Sequence, residues 1–410
     1  MMKQDKSIQE KGCHIARESS IAGLSTPSQI LFPNEFELLS SVTEVFELEF
    51  AYYEFKMLSK SELIKRSAYF RLIDDIETIH SKICKETSKA LYENRSKSTA
   101  SYFRNGMFST GYATHGLFPY RGKFHPQLIK ALMNMTGIKE GKIILDPMCG
   151  SGTLSVEASL IGVNSIGIDK NPFASFMSKV KLESLNINVD LLEEKSKDTK
   201  KILDGFLNKD VVSQSLLSSD DEESKIGRLF LLAFLDAMGY ARRTTKNIAQ
   251  LFPQVLAMYV KQVKSFLITL QKLKLTLGKG EIEFGDARNL SNINDSTIDG
   301  VITSPPYSFA IDYIENDKPQ LEYLGYNVNK LKEDMIGLIG NTRREKIERY
   351  FEDIDMALYE ISRVLKNKKY CVIIIGSNDI QTGGIRLENK IKELAPKHKL
   401  HPVKEIKKTY

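Results

Sequence analysis

The stretch LDPMCGSGTLSVEASLIG, residues 145–162, carries the strongest fold signal in the chain. An apolar segment ends at Asp146, a Gly-x-Gly turn follows at Gly150 and Gly152, and a helical pattern begins directly after the turn. Glycines let the backbone turn tightly and approach a ligand beside a helix N-terminus. This order of strand, acidic residue, glycine turn and helix predicts the first strand and the ligand loop of an open α/β sheet.

Further apolar segments have the length and composition of strands. They are NSIGIDK (164–170), EIEFGD (281–286), DGVITSP (299–305) and KYCVIIIGSN (369–378). Helical stretches alternate with these segments. The alternation predicts an α/β fold with a doubly wound, mostly parallel, Rossmann-like sheet and right-handed crossovers.

The spacing of the strand segments also predicts the domain organisation. About 100 residues separate the second strand from the third, whereas a crossover needs only about a dozen. We therefore expect a helical insertion, which is a candidate region for recognising a target. The predicted units are an N-terminal helical region (1–100), a first part of the main domain (101–184), the insertion (185–278) and a second part of the main domain (279–410).

From Phe32 to about Asn94, apolar residues recur three and four positions apart, which is typical of helices. This N-terminal region is either a helical layer packed on the main domain or an arm that grips a long substrate.

The composition excludes some protein classes. No run of about 18 apolar residues predicts a membrane span, and the N-terminus lacks the apolar core of a signal peptide. The cysteines have no metal-ligand spacing, and no metal site is predicted; they are Cys13, Cys84, Cys149 and Cys371. We therefore expect a cytoplasmic protein with reduced thiols. The net charge of +6 is compatible with a polyanionic partner but is weak evidence alone.

Three acidic residues end successive predicted strands: Asp146, Asp169 and Asp286. In an open α/β sheet these positions face one crevice. A carboxylate at Asp169 can accept hydrogen bonds from ribose hydroxyls, and Asp286 can reach the amino edge of an adenine ring, although a capping role in a turn is the alternative for Asp286. The G-x-G-x-x-G fingerprint of a dinucleotide site is absent, since residues 150–155 are GSGTLS.

The fourth predicted strand ends in TSPPY, residues 303–307, and faces the same crevice. Two prolines cannot continue a central strand, and they hold backbone carbonyls away from any neighbouring strand. The Ser304 hydroxyl and these carbonyls can accept hydrogen bonds from an amino group, and Tyr307 offers a ring for stacking on a planar base. Such acceptors favour attack by an exocyclic amine on a methyl electrophile.

Together, DPMCGSGT, GIDKNPFA, GDAR and TSPPY resemble the motifs of S-adenosylmethionine-dependent DNA amino-methyltransferases, in the order of that family. FPYRGKFHPQ (118–127) is similar to the segment that these enzymes place before the cofactor loop. The resemblance implies that the target amine binds to Ser304, Pro305, Pro306 and Tyr307. It implies a cofactor site for S-adenosylmethionine formed by Phe124, Asp146, Pro147, Gly150, Gly152, Asp169, Phe173 and Asp286.

A serine at the start of the tetrapeptide favours the N4 amine of cytosine in this family, whereas aspartate or asparagine favours the N6 amine of adenine. The resemblance therefore implies site-specific methylation of cytosine N4 in duplex DNA, with the target base flipped out of the helix. It also implies a restriction–modification system with a cognate endonuclease that need not contact this chain. The alternatives are adenine N6, an RNA or protein amine, or a DNA-binding subunit without catalysis.

The C-terminus departs from the family pattern. VKEIKKTY (403–410) is predicted to be one strand, and the last strand of the family's terminal hairpin has no counterpart. We therefore expect a truncated or split chain, or a partner chain that completes the sheet.

Several other residues have a less specific interpretation. Cys149 lies in the cofactor loop and is expected to pack there rather than to act as a nucleophile. His115 and His125 are expected to have packing or helix-start roles. ARRTTK (241–246) and TRREK (342–346) are either phosphate contacts or solvated helix faces.

Overall fold

The structure is a computed structural model, and it describes residues 27–92, 103–104, 107–108, 110–120, 123–209, 212–306, 312–376 and 384–408. Within these ranges no helix combines the length and the apolarity that crossing a membrane would require.

A parallel sheet of five strands forms the centre of the main domain, which confirms the predicted fold class. The strands are β6 (Ile143–Asp146), β7 (Asn164–Asp169), β8 (Gly280–Phe284), β9 (Gly300–Thr303) and β10 (Cys371–Ile373). Their order across the sheet is β10-β9-β6-β7-β8, and every neighbouring pair is parallel. This is the order of a doubly wound fold, in which the chain reverses its direction of winding between β6 and β9.

Both faces of the sheet are buried, which explains why its strands are nearly continuous apolar runs. Ile144 and Ile302 face one apolar cluster, whereas Leu145 and Val301 face another. Successive side chains of a strand alternate between faces, so apolar residues at both kinds of position require helices on both sides. The helices that follow β6, β7 and β9 belong to these two layers. They are Thr153–Leu160, Pro172–Glu183 and Arg343–Val364.

The described part of the N-terminal region contains helices and a small antiparallel sheet that the helical pattern did not predict. Its helices are Pro27–Leu31, Val45–Met57, Lys60–Arg66 and Ile79–Tyr92. Its strands are β1 (Phe36–Leu38), β2 (Phe70–Ile73) and β3 (Ile76–Glu77). Asp74 and Asp75 join β2 to β3 with φ of 49° and 60°. Tight hairpin turns require such positive φ values, and aspartate tolerates them better than most residues.

A second antiparallel hairpin, β4 (Phe103–Arg104) with β5 (Met107–Phe108), lies between the N-terminal region and the helix Pro126–Met135. That helix begins with proline at its first position, where the missing N–H costs nothing. Its apolar residues join the N-terminal cluster, which includes Phe32, Phe50 and Phe70, to the central sheet. The N-terminal region is therefore packed on the main domain through this helix.

Helices fill the segment between β7 and β8. After Pro172–Glu183 they are Val189–Lys195, Thr199–Leu207, Gln214–Ser218, Glu222–Ala241 and Ile248–Leu273. The last two pack on each other, and Ile248–Leu273 also packs on Ile79–Tyr92. A single large apolar cluster contains residues from all of these helices.

The side chain of Arg228 anchors the inserted helices to the main domain. It is fully buried and forms a bidentate pair with Glu183, with Nε and Nη2 at 2.9 and 2.7 Å from the carboxylate oxygens. Its Nη1 donates to the carbonyls of Leu216 and Ser219, both at 2.7 Å. The guanidinium can therefore form these hydrogen bonds only when three segments are correctly placed. These are the helix that carries Arg228, the helix that ends at Glu183, and residues 216–219.

The chain after β9 and β10 is also mainly helical. Short helices precede the long one: Tyr313–Asn316, Lys318–Tyr323 and Val328–Lys332. The helix Leu387–Leu394 and the 3₁₀ helix Ala395–His398 follow β10.

The predicted C-terminal strand is wrong for its described part, because residues 401–408 form neither helix nor strand. Side chains, rather than a neighbouring strand, hold this segment in place. Lys404 Nζ lies 3.8 Å from the ring centroid of Tyr53, and Lys408 pairs with Glu44 at 2.6 Å. Ile406 packs on the N-terminal cluster. The segment thus lies on the helix Val45–Met57 and its N-cap.

Replacing Arg228 with methionine should lower the free energy of unfolding by about 3 kcal/mol, because Glu183 would lose its buried partner. The midpoint of urea unfolding, followed by circular dichroism, measures this change. Arg344→Met is the matched control, since Arg344 is 88% exposed and pairs only with Glu348. We expect it to change the free energy by less than about 0.5 kcal/mol. Equal effects of the two substitutions would contradict the anchoring role of Arg228.

Candidate active site

A cleft lies at the carboxyl ends of the central strands, where the winding reverses between β6 and β9. It encloses about 980 Å³, part of which is open to solvent. In doubly wound folds, ligands bind at this switch point. The loops after β6, β7, β8 and β9 all contribute to its walls, through residues 147–151, 169–171, 286–287 and 304–306.

The loop after β6 depends on its two glycines. Gly150 has φ of 51° and Gly152 has φ of 72°, a region that other residues rarely adopt. At Gly152 a Cβ would also lie 2.9 Å from the Ser178 Cβ, so any side chain would collide with the helix Pro172–Glu183. At Gly150 the nearest atom to such a Cβ is Tyr120 Cε1, 3.9 Å away, so this position faces open space in the cleft. The loop can therefore bring its backbone close to a ligand.

Asp146 links the loop to the strand that carries the predicted catalytic residues. Its Oδ1 accepts a hydrogen bond from Thr303 Oγ1 at 2.7 Å and from the Met148 N–H at 3.2 Å. Its Oδ2 is buried and has no hydrogen-bond partner among the described residues. Burial raises the pKa of Asp146 to about 7, against the opposing effect of the Thr303 hydrogen bond. This oxygen is free to accept a hydrogen bond from a ligand bound above the loop.

Asp169 ends β7 and lines the cleft. Its carboxylate accepts hydrogen bonds from the Gly150 N–H at 2.7 Å and from the Asn171 N–H at 2.8 Å. Burial raises its pKa to about 6, although these backbone hydrogen bonds favour the ionised form. The aspartate thus holds the glycine loop in place while its carboxylate faces the cleft.

Asp286 lines the same cleft and is held by two cations. Its carboxylate accepts hydrogen bonds from Lys170 and from Arg288, whose Nη2 is 2.7 Å away. Burial alone would raise the pKa of Asp286, but the hydrogen bonds from Arg288 and Lys170 outweigh it and lower the pKa to about 2. Asp286 is therefore ionised and fixed in orientation.

The segment 334–338 covers this end of the cleft. Asp334 pairs with Lys170 and with Arg288, whose Nη2 lies 2.8 Å from its Oδ1. Met335, Ile336 and Leu338 then contribute an apolar wall. An apolar surface beside an ionised, fixed carboxylate is suited to a flat ring with polar edges.

Ser304, Pro305 and Pro306 follow β9 directly and line the opposite side of the cleft. The Thr303 carbonyl still accepts the Ile374 N–H of the neighbouring chain segment at 2.9 Å. Beyond it, no donor among the described residues reaches the Ser304 hydroxyl or the carbonyls of Ser304 and Pro305. These oxygens are available to accept hydrogen bonds from a bound amine.

A stacked pair of tyrosines forms a further wall that sequence reasoning missed. The rings of Tyr120 and Tyr313 have centroids 6.2 Å apart and an interplanar angle of 19°, and both line the cleft. Asp317 is buried behind them and accepts a hydrogen bond from Asn171 Nδ2 at 2.7 Å. Burial raises the pKa of Asp317 to about 7. The available sequence signal was the position of Tyr120 inside FPYRGKFHPQ and of Tyr313 inside the acidic stretch after TSPPY.

The structure brings most of the predicted site residues together. Those that line the cleft are Phe124, Pro147, Gly150, Asp169, Asp286, Ser304, Pro305 and Pro306. Asp146 lies beneath the loop and Gly152 lies at its helical end. Tyr307 is outside the described residues. Other cleft residues that the sequence did not single out are Lys170, Asn171, Met335, Ile336 and Leu338.

Phe173 does not line the cleft, contrary to its predicted position beside the adenine. It is fully buried, and its ring packs against Phe118 with centroids 4.9 Å apart. The helix that begins at Pro172 directs this side chain into the large apolar cluster rather than towards the ligand space.

Cys149 and His115 have surroundings that match packing roles. Cys149 lines the cleft, but burial raises the pKa of its thiol well above the usual value, which disfavours a thiolate nucleophile. His115 is buried, with Nε2 at 2.7 Å from Glu157 Oε1, and burial lowers its pKa to about 4. The Tyr112 hydroxyl donates to the same oxygen of Glu157 at 2.5 Å.

Comparison with known proteins gives partial matches. Residues 117–228 match the RMKL-like methyltransferase domain, UPF0020. The type II methyltransferase M.BsoBI of Geobacillus stearothermophilus is 27% identical over 53% of this chain and 54% of its own length. The type II methyltransferase M.MvaI of Kocuria varians is 23% identical over 70% of this chain and 82% of its own length.

A shorter match concerns a tRNA-modifying enzyme. The tRNA (guanine(10)-N2)-dimethyltransferase of Methanocaldococcus jannaschii is 37% identical over 20% of this chain and 23% of its own length. The chain thus spans about half the length of M.BsoBI and less than a quarter of the tRNA enzyme. Together the matches support an S-adenosylmethionine-dependent methyltransferase.

The cleft residues fit S-adenosylmethionine, the methyl donor implied by these matches. The buried Asp146 Oδ2 lacks a partner, which suits a cationic amino group nearby. Gly150 leaves open space for close approach of a ligand, and Asp169 presents a carboxylate to the cleft.

Replacing Thr303 with valine should weaken the binding of S-adenosylmethionine roughly tenfold, because a buried hydrogen bond of about 1–2 kcal/mol to Asp146 is lost while the shape is kept. Isothermal titration calorimetry measures the change. Thr303→Ser keeps the hydroxyl and should bind nearly normally. Thr297→Val, which removes a hydroxyl bonded to the Asn294 carbonyl outside the cleft, is the second control. Unchanged binding by Thr303→Val would contradict the role of this hydrogen bond.

Proposed function

We propose that this chain is a site-specific DNA methyltransferase that transfers a methyl group from S-adenosylmethionine to the exocyclic N4 amine of cytosine, within a restriction–modification system. One observation carries the proposal: Ser304, Pro305 and Pro306 face the same cleft as Gly150 and Asp169. A set of hydrogen-bond acceptors for an amine thus lies opposite a loop suited to the methyl donor. The similarity to two type II methyltransferases supports DNA as the substrate.

S-adenosylmethionine supplies an electrophilic methyl group on a positively charged sulfur. We assign its methionine end to Asp146 and to the glycine loop, and its ribose to Asp169. The adenine ring would lie between the apolar wall of segment 334–338 and Phe124, with its edge near Asp286. Pro147 fixes the start of the loop.

On the other side of the cleft, Ser304 and the carbonyls of residues 304 and 305 would accept hydrogen bonds from the target amine. The lone pair of such an amine is delocalised into the base, so acceptors that orient its hydrogens make the nitrogen more nucleophilic. The nitrogen so oriented would be placed to receive the electrophilic methyl group that bound S-adenosylmethionine would supply, with the sulfide as the leaving group. A proton leaves the nitrogen along one of these hydrogen bonds. Tyr307 remains the predicted stacking residue.

The target base of a duplex must be flipped out to reach this cleft, at a cost of about a few kcal/mol. The stacked Tyr120 and Tyr313 present aromatic surface beside the cleft that can recover part of this cost by stacking. The proposed partners are therefore duplex DNA and, within the same system, a cognate restriction endonuclease. Completion of the C-terminal strands by a partner chain stays a prediction.

A second candidate is methylation of an exocyclic amine in RNA. The partial match to a tRNA (guanine(10)-N2)-dimethyltransferase favours it, because that name also denotes an exocyclic amine. If the target were the N6 amine of adenine, it would donate hydrogen bonds to the same oxygens of residues 304 and 305. The serine at the start of the tetrapeptide is the feature that favours cytosine among these bases.

The proposal is tested by incubating the chain with radiolabelled S-adenosylmethionine and either mixed-sequence duplex DNA or bulk tRNA. The products are digested to nucleosides and separated. Label in N4-methylcytosine is the expected result. Label in N6-methyladenine would show that the target base is adenine and not cytosine. Label only in tRNA would show that the substrate is RNA and not DNA. Binding of the donor without transfer to any substrate would indicate a subunit without catalysis.

Ser304→Ala should lower the rate of methyl transfer roughly tenfold or more, because one hydrogen bond to the reacting amine is worth about 1.5 kcal/mol. Binding of the methyl donor should stay normal. Ser291→Ala, an exposed serine outside the cleft, is the matched control. If Ser304→Ala transfers the methyl group at the full rate, Ser304 has no part in the proposed mechanism.

The affinity for S-adenosylmethionine should fall as the pH falls, beginning near pH 7, where Asp146 becomes protonated, with a further step near pH 6. Asp169 has its pKa raised to about 6 by burial, and protonation removes the charged acceptor that the ribose hydroxyls would use. The decrease should approach about tenfold per pH unit until the pKa of the complex is reached. Calorimetric titrations from pH 5 to 8 measure it.

In Asp169→Asn the step near pH 6 should disappear and the affinity at pH 8 should be low. Asp317→Asn should keep the step, although Asp317 also has a raised pKa. A step that survives in Asp169→Asn would assign the titration to another group.

A further inference from the structure

A second concave surface lies on the inserted helices, away from the cleft, and its rim is basic. Lys209, Arg242 and Lys246 surround a floor formed by Phe234, Met238 and Tyr323. We call these six residues the basic depression. The three cations come from the end of one helical segment and from the connection between the two longest inserted helices.

The cations of the basic depression have no acidic partners. None of the three forms an ion pair with a carboxylate of the described residues. By contrast, Arg344 and Arg349, near the other basic stretch of the sequence, pair with Glu348 and Glu352 at 2.8 and 3.0 Å. Like charges that face solvent without partners repel one another, and a bound polyanion would relieve this repulsion. The charge pattern therefore favours residues 241–246 over 342–346 as a phosphate-binding stretch.

Aromatic rings support the basic side chains. Lys209 Nζ lies 5.2 Å from the ring centroid of Tyr323, and Arg243, beside the depression, lies 5.5 Å from the ring of Tyr240. Cation–π contacts of this kind restrict long side chains without neutralising their charge. Lys209 and the neighbouring Arg243 are thus partly ordered before any ligand arrives.

Stabilisation of a helix C-terminus explains only part of the pattern. Arg242 and Arg243 follow directly after the helix Glu222–Ala241, where cations interact favourably with the helix dipole. Lys209 likewise follows the C-terminal end of the helix Thr199–Leu207. Lys246, however, precedes the N-terminus of Ile248–Leu273, where a cation interacts unfavourably with the helix dipole, so this effect does not account for its presence at the depression.

The basic depression is at a suitable distance from the cleft. Tyr313 lines the cleft and Tyr323 lines the depression, and the two short helices Tyr313–Asn316 and Lys318–Tyr323 join them. Ten residues of helix span at most about 15 Å. One turn of duplex DNA is about 34 Å long. A duplex with its target base in the cleft can therefore place flanking phosphates on the depression.

We propose that the basic depression binds the phosphate backbone of duplex DNA next to the target base, so that the inserted helices hold the substrate while the cleft modifies it. This inference rests on the proposed function for its substrate, but its own basis is the charge and placement of the three cations. Phosphate contacts position a duplex without reading its sequence. The depression therefore contributes affinity and orientation, and sequence recognition lies elsewhere.

The double variant Arg242→Gln/Lys246→Gln tests the proposal. Fluorescence anisotropy with a labelled duplex of about 30 base pairs, three helical turns, gives the dissociation constant at several salt concentrations. The logarithm of the association constant for DNA falls linearly with the logarithm of the salt concentration, and each lost phosphate contact should make this slope less steep by about 0.9. The slope of the double variant should therefore be less steep by about 1.8. In methyl-transfer assays the KM for DNA should rise by roughly tenfold or more, while kcat and the affinity for S-adenosylmethionine should stay unchanged.

Two further variants serve as controls. Arg344→Gln/Arg349→Gln removes the same net charge from paired positions and should keep the wild-type slope. Arg242→Lys/Lys246→Arg keeps the charge and should keep most of the affinity. Equal losses in the two neutralising variants, or a wild-type slope in Arg242→Gln/Lys246→Gln, would overturn the proposal.

The outcomes separate this inference from the proposed function. A wild-type protein that methylates DNA, together with normal DNA binding by Arg242→Gln/Lys246→Gln, would disprove only the role of the depression. A wild-type protein that binds DNA through the depression but transfers no methyl group to it would disprove only the proposed function.

Discussion

The hydrogen bond between Thr303 and Asp146 is the interaction on which the arrangement of the cleft depends. It joins the ends of β9 and β6 at 2.7 Å, across the point where the winding of the sheet reverses. Both residues are fully buried. Because Asp146 precedes the glycine loop and Thr303 precedes Ser304, this contact continues the pairing of β6 with β9 to the edge of the cleft and holds its two sides at a fixed distance. A reaction between two bound molecules requires such a fixed distance, since small displacements of the reacting atoms reduce the rate strongly.

A chain of contacts extends this constraint from the cleft to the inserted helices. Asn171, next to the loop after β7, donates to Asp317 behind the tyrosine wall. Gln320 donates to the Leu235 carbonyl at 3.3 Å, and the Tyr323 hydroxyl donates to the Phe206 carbonyl at 2.7 Å. The short helices after β9 therefore connect the cleft to the insertion rigidly. If the insertion holds DNA, its position relative to the cleft is set by packed side chains and not by a flexible linker.

The sequence was sufficient for features that local chemistry determines. The strands appear as apolar runs because both faces of the sheet are buried, and Gly150 and Gly152 are glycines because their φ values are positive. Features that depend on distant partners were not predictable. Nothing local indicates that Phe173 turns into the core, or that Thr303 bonds to Asp146 from 157 positions away. The strand predicted at residues 403–410 is wrong for its described part, 403–408, for the same reason, because a strand forms only where another strand pairs with it.

The distribution of charge also explains why the net charge of +6 was weak evidence. This net charge is the sum over the whole chain, and it hides one acidic region and one basic region. Asp146, Asp169 and Asp317 lie in or beside the cleft, and burial raises the pKa of each. Repulsion by the Asp169 carboxylate adds to burial in raising the pKa of Asp146 and of Asp317. A cation bound there would relieve this repulsion, which suits a positively charged methyl donor and not a phosphate chain. The unpaired cations of the basic depression have the opposite preference.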